Sequence, residues 1–339
     1  MPPESYAYAG ILSDFNVGGL AFGDADGRFT APVLATSGDA LVRPVDGVVY
    51  VVERGTVDAV SAVDPVEPDA PVWQVALPQG CNAHDLVGFA ERLWVPCHGT
   101  GDVLVLDPAE GEVVQTVPLA HLAEGADGNP ELDAAVVAGD HLYVAAQRLY
   151  DDPEVPGVLL ESDGGLLVEL DAAGAVVQAH EVGPNPRISR VEGGIAVLSG
   201  LFVFPGASES RATDGDLRIF DAEQGVLGPA VLEETGDDLF SAIDAGERLV
   251  VLTVDADSNS EVKCVDLRTG DVRRWSARAG WFITSAHRPI EGSTIVGIRR
   301  PPEGGFETGV AAVFDPVACM PLGDAPTCTT LEPYDFAAL

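Results

Sequence analysis

The chain has 339 residues, with 18 basic against 54 acidic side chains, a net charge of −36, and 46% of its residues are hydrophobic. That apolar fraction suffices for a large core and excludes global disorder, while the acidic surface argues against nucleic acid as a partner, Lys263 being the only lysine. No apolar run reaches the roughly 18 residues of a membrane span, and Met1-Pro2-Pro3-Glu4 lacks the basic and apolar regions of an export leader. With 38 glycines and 25 prolines the chain is rich in turn formers, so many short strands are expected, gathered in a single domain over 1–339.

In chain order, residues 6–13 and 19–24 read as an opening pair of strands. One grammar then repeats: a strand A, a short turn, a strand B, a connection, an apolar strand C ending in aspartate, and a turn into a strand D. Blade 1 takes 40–45, 48–53 and 59–64 for A, B and C, and blade 2 takes 85–90, 93–97 and 102–107. Blade 3 takes 133–137, 142–147 and 166–171, and blade 4 takes 188–191, 195–199 and 216–221. Blade 5 takes 241–245, 249–254 and 261–266, and blade 6 takes 283–286, 294–299 and 310–315. The strand C aspartates, Asp24, Asp64, Asp107, Asp171, Asp221, Asp266 and Asp315, lie 40, 43, 64, 50, 45 and 49 residues apart, the length of a four-stranded blade. Residues 333–339 form a last strand A with nothing after it. The expected fold is an all-β, seven-bladed β-propeller, its ring closed where this strand A joins N-terminal strands B to D in one blade.

The repeat of blade 2 carries a family resemblance. Leu93-Trp94-Val95-Pro96-Cys97-His98-Gly99-Thr100-Gly101-Asp102-Val103-Leu104-Val105-Leu106-Asp107, followed by Gly111-Glu112-Val113-Val114-Gln115-Thr116-Val117-Pro118, resembles the repeat of the YVTN or YncE-like seven-bladed β-propellers. The resemblance implies the propeller architecture and an exported protein. It supplies no catalytic residue.

Strand alternation puts the loops leading into strand A and the B-to-C loops on one face. The long B-to-C connections, 149–164 in blade 3 and 202–215 in blade 4, fall there, as loops that carry function on a rigid scaffold do. Blade 2 adds Cys81-Asn82-Ala83-His84-Asp85 before strand A and Cys97-His98 after strand B. Two readings stay open for this set: a Cys81–Cys97 disulfide with two neighbouring histidines, or a metal site. Cys319 and Cys328, nine residues apart, make a second plausible bridge and leave Cys264 as a buried thiol; four paired cysteines point to an oxidising compartment.

Among the arginines, Arg54, Arg148, Arg299 and Arg300 end B strands and Arg187 leads into strand A of blade 4. They could receive an anionic group or simply neutralise acidic loops. Asp255, Asp257 and Asn259 have the D-x-D-x-N spacing of a calcium loop, without its glycine or flanking helices, so calcium is a possible cofactor beside the plain reading of a polar hairpin.

The expected function is a non-catalytic ligand- or protein-binding propeller of the cell envelope or exterior, a monomer whose partner is a small molecule, glycan or protein. Its contacts should centre on Asn82, His84, Asp85, His98, Arg148 and Arg187 on the loop face of blades 2–4. The rival is a lyase or lactone-hydrolase type enzyme, metal-assisted or not, acting on an anionic substrate with His84 or His98 as general base. No G-x-S-x-G, H-E-x-x-H or phosphate-loop motif is present.

Overall fold

The computed structural model describes residues 6–14, 16–55, 57–123, 128–151, 160–162, 164–201, 213–255, 259–276, 282–287, 294–299, 310–322, 327–328 and 332–339. They form an all-β, seven-bladed β-propeller arrangement of antiparallel sheets. Blade 1 is Ala40–Val45, Val48–Glu53, Ala59–Val63 and Trp73–Ala76; blade 2 is Val87–Phe89, Arg92–Pro96, Asp102–Leu106 and Val113–Pro118. Blade 3 is Leu132–Ala138, His141–Ala146, Gly165–Leu170 and Val176–Gly183, with an extra hairpin, Leu149–Asp151 against Leu160–Ser162, in its B-to-C connection. Blade 4 is Arg187–Val191, Gly194–Leu198, Asp216–Asp221 and Val226–Glu233, and blade 5 is Asp237–Asp244, Arg248–Asp255, Ser260–Asp266 and Val272–Ser276. In blade 6, Phe282–His287, Thr294–Arg299 and Val310–Asp315 are followed by a broken fourth strand, Met320–Pro321 and Thr327–Cys328, both pairing with Val310–Asp315.

The seventh sheet joins the two ends of the chain. Glu332–Ala338 pairs antiparallel with Tyr8–Ser13, which pairs with Val17–Gly23 and then Leu34–Ser37. Strand A of blade 5 starts four residues earlier than the sequence suggests. In blade 2 it shortens to Val87–Phe89, because Asp85 spends its side chain on the neighbouring blade and Ala90 and Glu91 already turn with positive φ.

The repeated aspartate has one local cause. In all seven copies its Oδ1 accepts backbone N–H groups two to four residues on: Asp24 from Asp26 and Arg28, Asp64 from Val66, Asp107 from Ala109, and Asp171 from Ala173 and Ala175. Asp221 likewise takes Glu223 and Gln224, Asp266 takes Arg268 and Thr269, and Asp315 takes Val317 and Ala318. An acceptor carboxylate fixed at the end of strand C folds the chain back into strand D. At Asp266 the Thr269 N–H leads the interactions that outweigh desolvation and hold the carboxyl below its ordinary pKa.

By contact the chain forms two compact units, residues 80–244 with 253–257, and residues 1–79 with 245–252 and 258–339. In the first, Trp94, Val103, Val105, Val144 and Val168 pack blade 2 on blade 3, and Tyr143, Leu167, Ile195, Val197 and Phe220 pack blade 3 on blade 4. In the second, Ile11, Leu20, Val42, Val49 and Val51 pack blade 7 on blade 1. Inner strands such as Gly165–Leu170 are buried along their whole length, because alternate residues, Leu166 and Val168 against Leu167, pack on opposite neighbouring blades.

Two disulfides are present. Cys81–Cys97 matches one of the two readings of its sequence. The second corrects the expectation of a Cys319–Cys328 bridge and a free Cys264: Cys319 is bonded to Cys264, with Cα atoms 5.7 Å apart and a sequence separation of 55. The reason is register. Met320 pairs with Asp315 and Cys328 pairs with Val310, at opposite ends of strand C of blade 6, so on strand spacing the two ends are about 17 Å apart, beyond disulfide reach. Cys319, 3% exposed at the turn with φ 58°, instead meets strand C of blade 5.

Candidate functional site

Blades 2, 3 and 4 share a construction that places their functional side chains. The loop leading into strand A holds one non-glycine residue in the left-handed region: Asn82 at φ 46°, Glu131 at 43° and Asn185 at 48°. Asparagine tolerates this conformation and glutamate less so, but Glu131 is tied down, its Oε2 accepting Leu149 N–H at 2.8 Å and its N–H reaching Asn129 Oδ1. The end of strand B docks on the same turn: His98 N–H to Asn82 O, Gly99 N–H to Cys81 O, Gln147 N–H to Glu131 O, Arg148 N–H to Pro130 O and Gly200 N–H to Pro184 O. Two residues beyond each left-handed residue stand His84, Asp133 and Arg187. Successive blades thus contribute a histidine, a carboxylate and a guanidinium from one structural position.

These groups meet. His84 Nδ1 lies 2.9 Å from Asp133 Oδ1, and the Asn82 side-chain amide lies 3.2 Å from His84 Nε2. The Asn82 amide and the Asp133 carboxylate thus each engage one ring nitrogen of His84. His98 stacks on His84 with ring centroids 4.1 Å apart at 21°, and its carbonyl accepts from Asn129 at 2.8 Å. The Cys81–Cys97 bridge, Cα to Cα 4.6 Å, and the Ala83–Cys97 β-bridge join the two segments that carry this pair.

Burial alone would raise the Asp133 carboxyl, but the hydrogen bond from His84 and the fields of His84, His98 and Arg187 hold it below the ordinary value. Desolvation pulls the Arg187 guanidinium down, against the fields of Asp133, Glu234, Asp238 and Asp214. The fields of four carboxyl groups therefore act on one arginine. Its NH2 points to Gly200 O at 3.5 Å.

Of the residues singled out in the sequence, Asn82, His84, His98 and Arg187 belong to this group. Asp85 and Arg148 serve the framework, each 7% exposed: Asp85 Oδ2 accepts Ala135 N–H at 2.9 Å and Arg148 NH1 donates to Gly164 O at 3.0 Å. Arg54 is held by Asp39 and Tyr334 at 2.9 and 2.8 Å. Arg54 thus neutralises Asp39 and Arg148 braces the end of the blade 3 connection; Arg300 and the Arg299 side chain lie outside the described residues, as does the Cys328 side chain. For calcium, Asp257 lies outside the described residues, Asp255 ends strand B of blade 5, and Asn259 precedes strand C. With Cys81 and Cys97 joined to each other, no thiolate is left for a metal there. Among the described residues no group of three or more histidine, cysteine, aspartate or glutamate side chains has the geometry to hold a metal ion.

No protein-family model matches the chain, and no curated protein sequence matches it. Solved structures do. A 6-phosphogluconolactonase-like protein of Bacteroides fragilis superposes with a TM-score of 0.63 at 14% identity, over 99% of this chain and 98% of that one. Streptogramin B lyase gives 0.55 at 11% over 88% and 86%, and apo AztD from Citrobacter koseri gives 0.51 at 11% over 99% and 98%. At such identities the likeness is one of fold.

Sequence reasoning missed Asp133, which it placed as the first residue of an ordinary strand, and the acidic partners Asp214, Glu234 and Asp238. A signal existed in the parallel phrases Asn82-Ala83-His84, Glu131-Leu132-Asp133 and Asn185-Pro186-Arg187. It shows only when the left-handed turn, rather than the strand C aspartate, is used to align the blades.

Proposed function

We propose that this protein is a non-catalytic, extracytoplasmic binding propeller of the YVTN or YncE-like kind that accepts a cationic small molecule, or a cationic group of a larger ligand, beside His98, His84 and Asp133. The observation that carries this reading is the occupancy of the two groups an enzyme would need. Both ring nitrogens of His84 are engaged, by Asp133 and Asn82, and the fields of four carboxyl groups already act on Arg187. The stacked imidazole rings and the Asp133 carboxylate are groups of the kind that suit an ammonium or guanidinium group. The two disulfides support an oxidising compartment.

A second reading rests on the His84–Asp133 pair, whose 2.9 Å contact is that of a base with its orienting carboxylate. Similarity in fold to streptogramin B lyase keeps a lyase or lactone-hydrolase type activity on an anionic substrate as that alternative. Isothermal titration with spermidine and with gluconate at about 0.15 M NaCl separates the two, since screening removes diffuse attraction to an acidic surface. Spermidine is expected to bind one to a chain, with affinity falling at least about tenfold in D133N and in H98A. Gluconate binding that is lost in R187A, or spermidine binding indifferent to D133N, would overturn the cation reading.

A further inference from the structure

The side chains of the candidate site hang from two chain segments joined by a covalent bond. Asn82 follows Cys81 directly, with His84 two residues further on, and His98 follows Cys97 directly. The Cys81–Cys97 disulfide, 4.6 Å from Cα to Cα, therefore ties the stem of Asn82 and His84 to the stem of His98. Its cysteines are 0% and 1% exposed, whereas the His84 side chain keeps 19% of its surface open. Glycines flank the bond: Gly80 precedes Cys81 with φ 82°, and Gly99 and Gly101, the latter with φ 68°, follow His98. The two turns lie so close that a Cβ on Gly99 would sit 2.3 Å from Gly80 O. Glycine permits this approach, and it leaves the backbone there freer than any other residue would. Three backbone bonds oppose that freedom: His84 N–H to Pro96 O and His98 N–H to Asn82 O at 3.1 Å, and Gly99 N–H to Cys81 O at 2.9 Å. These bonds hold main chain. The overlap of the His98 and His84 rings, 4.1 Å between centroids, depends in addition on how far apart the two stems stand.

Resting on the reading of this place as a ligand site, we propose that the Cys81–Cys97 bridge is a positioning element for it: the bridge sets the His98 ring on the His84 ring, and ligand binding is thereby coupled to its oxidation. Opening by a dithiol breaks the S–S bond and forms two cysteine S–H groups from the two electrons and two protons of the dithiol, which closes into its own disulfide. What is then left between the stems is the short backbone ladder with glycine on either side. A ligand that rests on both rings has to order these turns itself, and it binds more weakly. Linkage makes the converse hold. By the factor by which the bridge strengthens binding, bound ligand favours the oxidised bridge over the open one. The Cys264–Cys319 bridge, between blades 5 and 6, carries no residue of the site and serves as the internal control.

Proton spectra of the unliganded protein read the positioning without any ligand. The His84 and His98 Cε1–H signals, identified by their loss in H84Q and H98Q, carry the ring-current shift of a stacked pair. They should move toward ordinary imidazole positions in C81A/C97A and stay in place in C264A/C319A. Titration with spermidine reads the coupling: affinity should fall at least about tenfold in C81A/C97A and change less than about twofold in C264A/C319A. In the wild-type chain, mass mapping in graded dithiothreitol buffers follows the two bridges separately. Saturating spermidine should raise the dithiol needed to open Cys81–Cys97 by more than that needed for Cys264–Cys319, an arm that holds should C81A/C97A fail to fold. Ring signals unmoved in C81A/C97A, equal losses of affinity in the two double variants, or equal protection of the two bridges by spermidine would each overturn the proposal. Ring signals that move in C81A/C97A while the wild type binds no spermidine would support the positioning role and overturn the cation reading instead.

Discussion

His84 and Asp133 show how much of the site rests on single atoms. Asp133 gains its depressed pKa from His84, His98 and Arg187 together, so its contribution to stability is present above the ordinary carboxylate value and disappears as pH falls through the depressed one. D133N should cost about 1–3 kcal/mol near neutral pH, because His84 Nδ1–H and Arg187 lose a charged partner, and should make the remaining stability less sensitive to acid. Urea unfolding of wild type and D133N near pH 7 and near pH 3 checks both expectations, and equal acid sensitivity would contradict them. The turn aspartates are simpler. Asp221→Ala removes the acceptor for Glu223 and Gln224 N–H and should cost about 1 kcal/mol, read as a shifted urea midpoint with an unchanged slope.

At the scale of elements, the C-terminal strand is the most consequential. Phe336 is fully buried and stacks on Phe29 at 4.9 Å, and a Cβ on Gly10 would come within 2.4 Å of its ring. Asp335 Oδ2 accepts Val42 N–H at 2.8 Å and meets Arg43 at 2.7 Å, the blade 7 to blade 1 counterpart of the contact from Asp85 to Ala135 between blades 2 and 3. Tyr334 donates to Asp39 and accepts from Arg54, and burial foremost pushes its phenol up to about 12, so it stays a donor at any ordinary pH. Gly10→Ala should cost about 1–3 kcal/mol by overpacking and Phe336→Ala about 3–5 kcal/mol by opening a cavity. Removing residues 332–339 should abolish cooperative thermal unfolding, followed by circular dichroism; a truncated chain melting like the full one would mean that this strand does not complete the sheet.

Across the whole molecule, what the sequence made legible was what is local and repeated. The strand C phrase announces itself because each copy solves the same turn with the same carboxylate, and seven copies with an unpaired final strand suffice for blade number and closure. Pairings between neighbouring blades left no such local trace. Cys264 and Cys319 are 55 residues apart with no local motif to mark the pair, and Asp133, 49 residues from His84, shows only when the blades are aligned on their left-handed turns. Nearness in sequence misled in the case of Cys328. Mass mapping of an unreduced digest should give the Cys81–Cys97 and Cys264–Cys319 crosslinks, with Cys328 alkylated as the cysteine left over of five. On chain entropy, the two bridges are worth about 3 and about 4 kcal/mol respectively, so reduction should lower the melting temperature clearly. With a net charge of −36, added salt should raise that temperature at low ionic strength by screening self-repulsion.

The choice between a binding site and an acid–base site turns on the lone pair of His84. Long-range nitrogen–proton correlation spectra of the imidazole rings near pH 7.5, with the His84 signals identified by their loss in H84Q, read that atom directly. A ring held as the Nδ1–H tautomer, with Nε2 accepting a hydrogen bond that N82A removes, is the result expected of a binding propeller. A ring held in the same tautomer but with Nε2 open to water and unmoved by N82A would contradict that expectation and make His84 a general base.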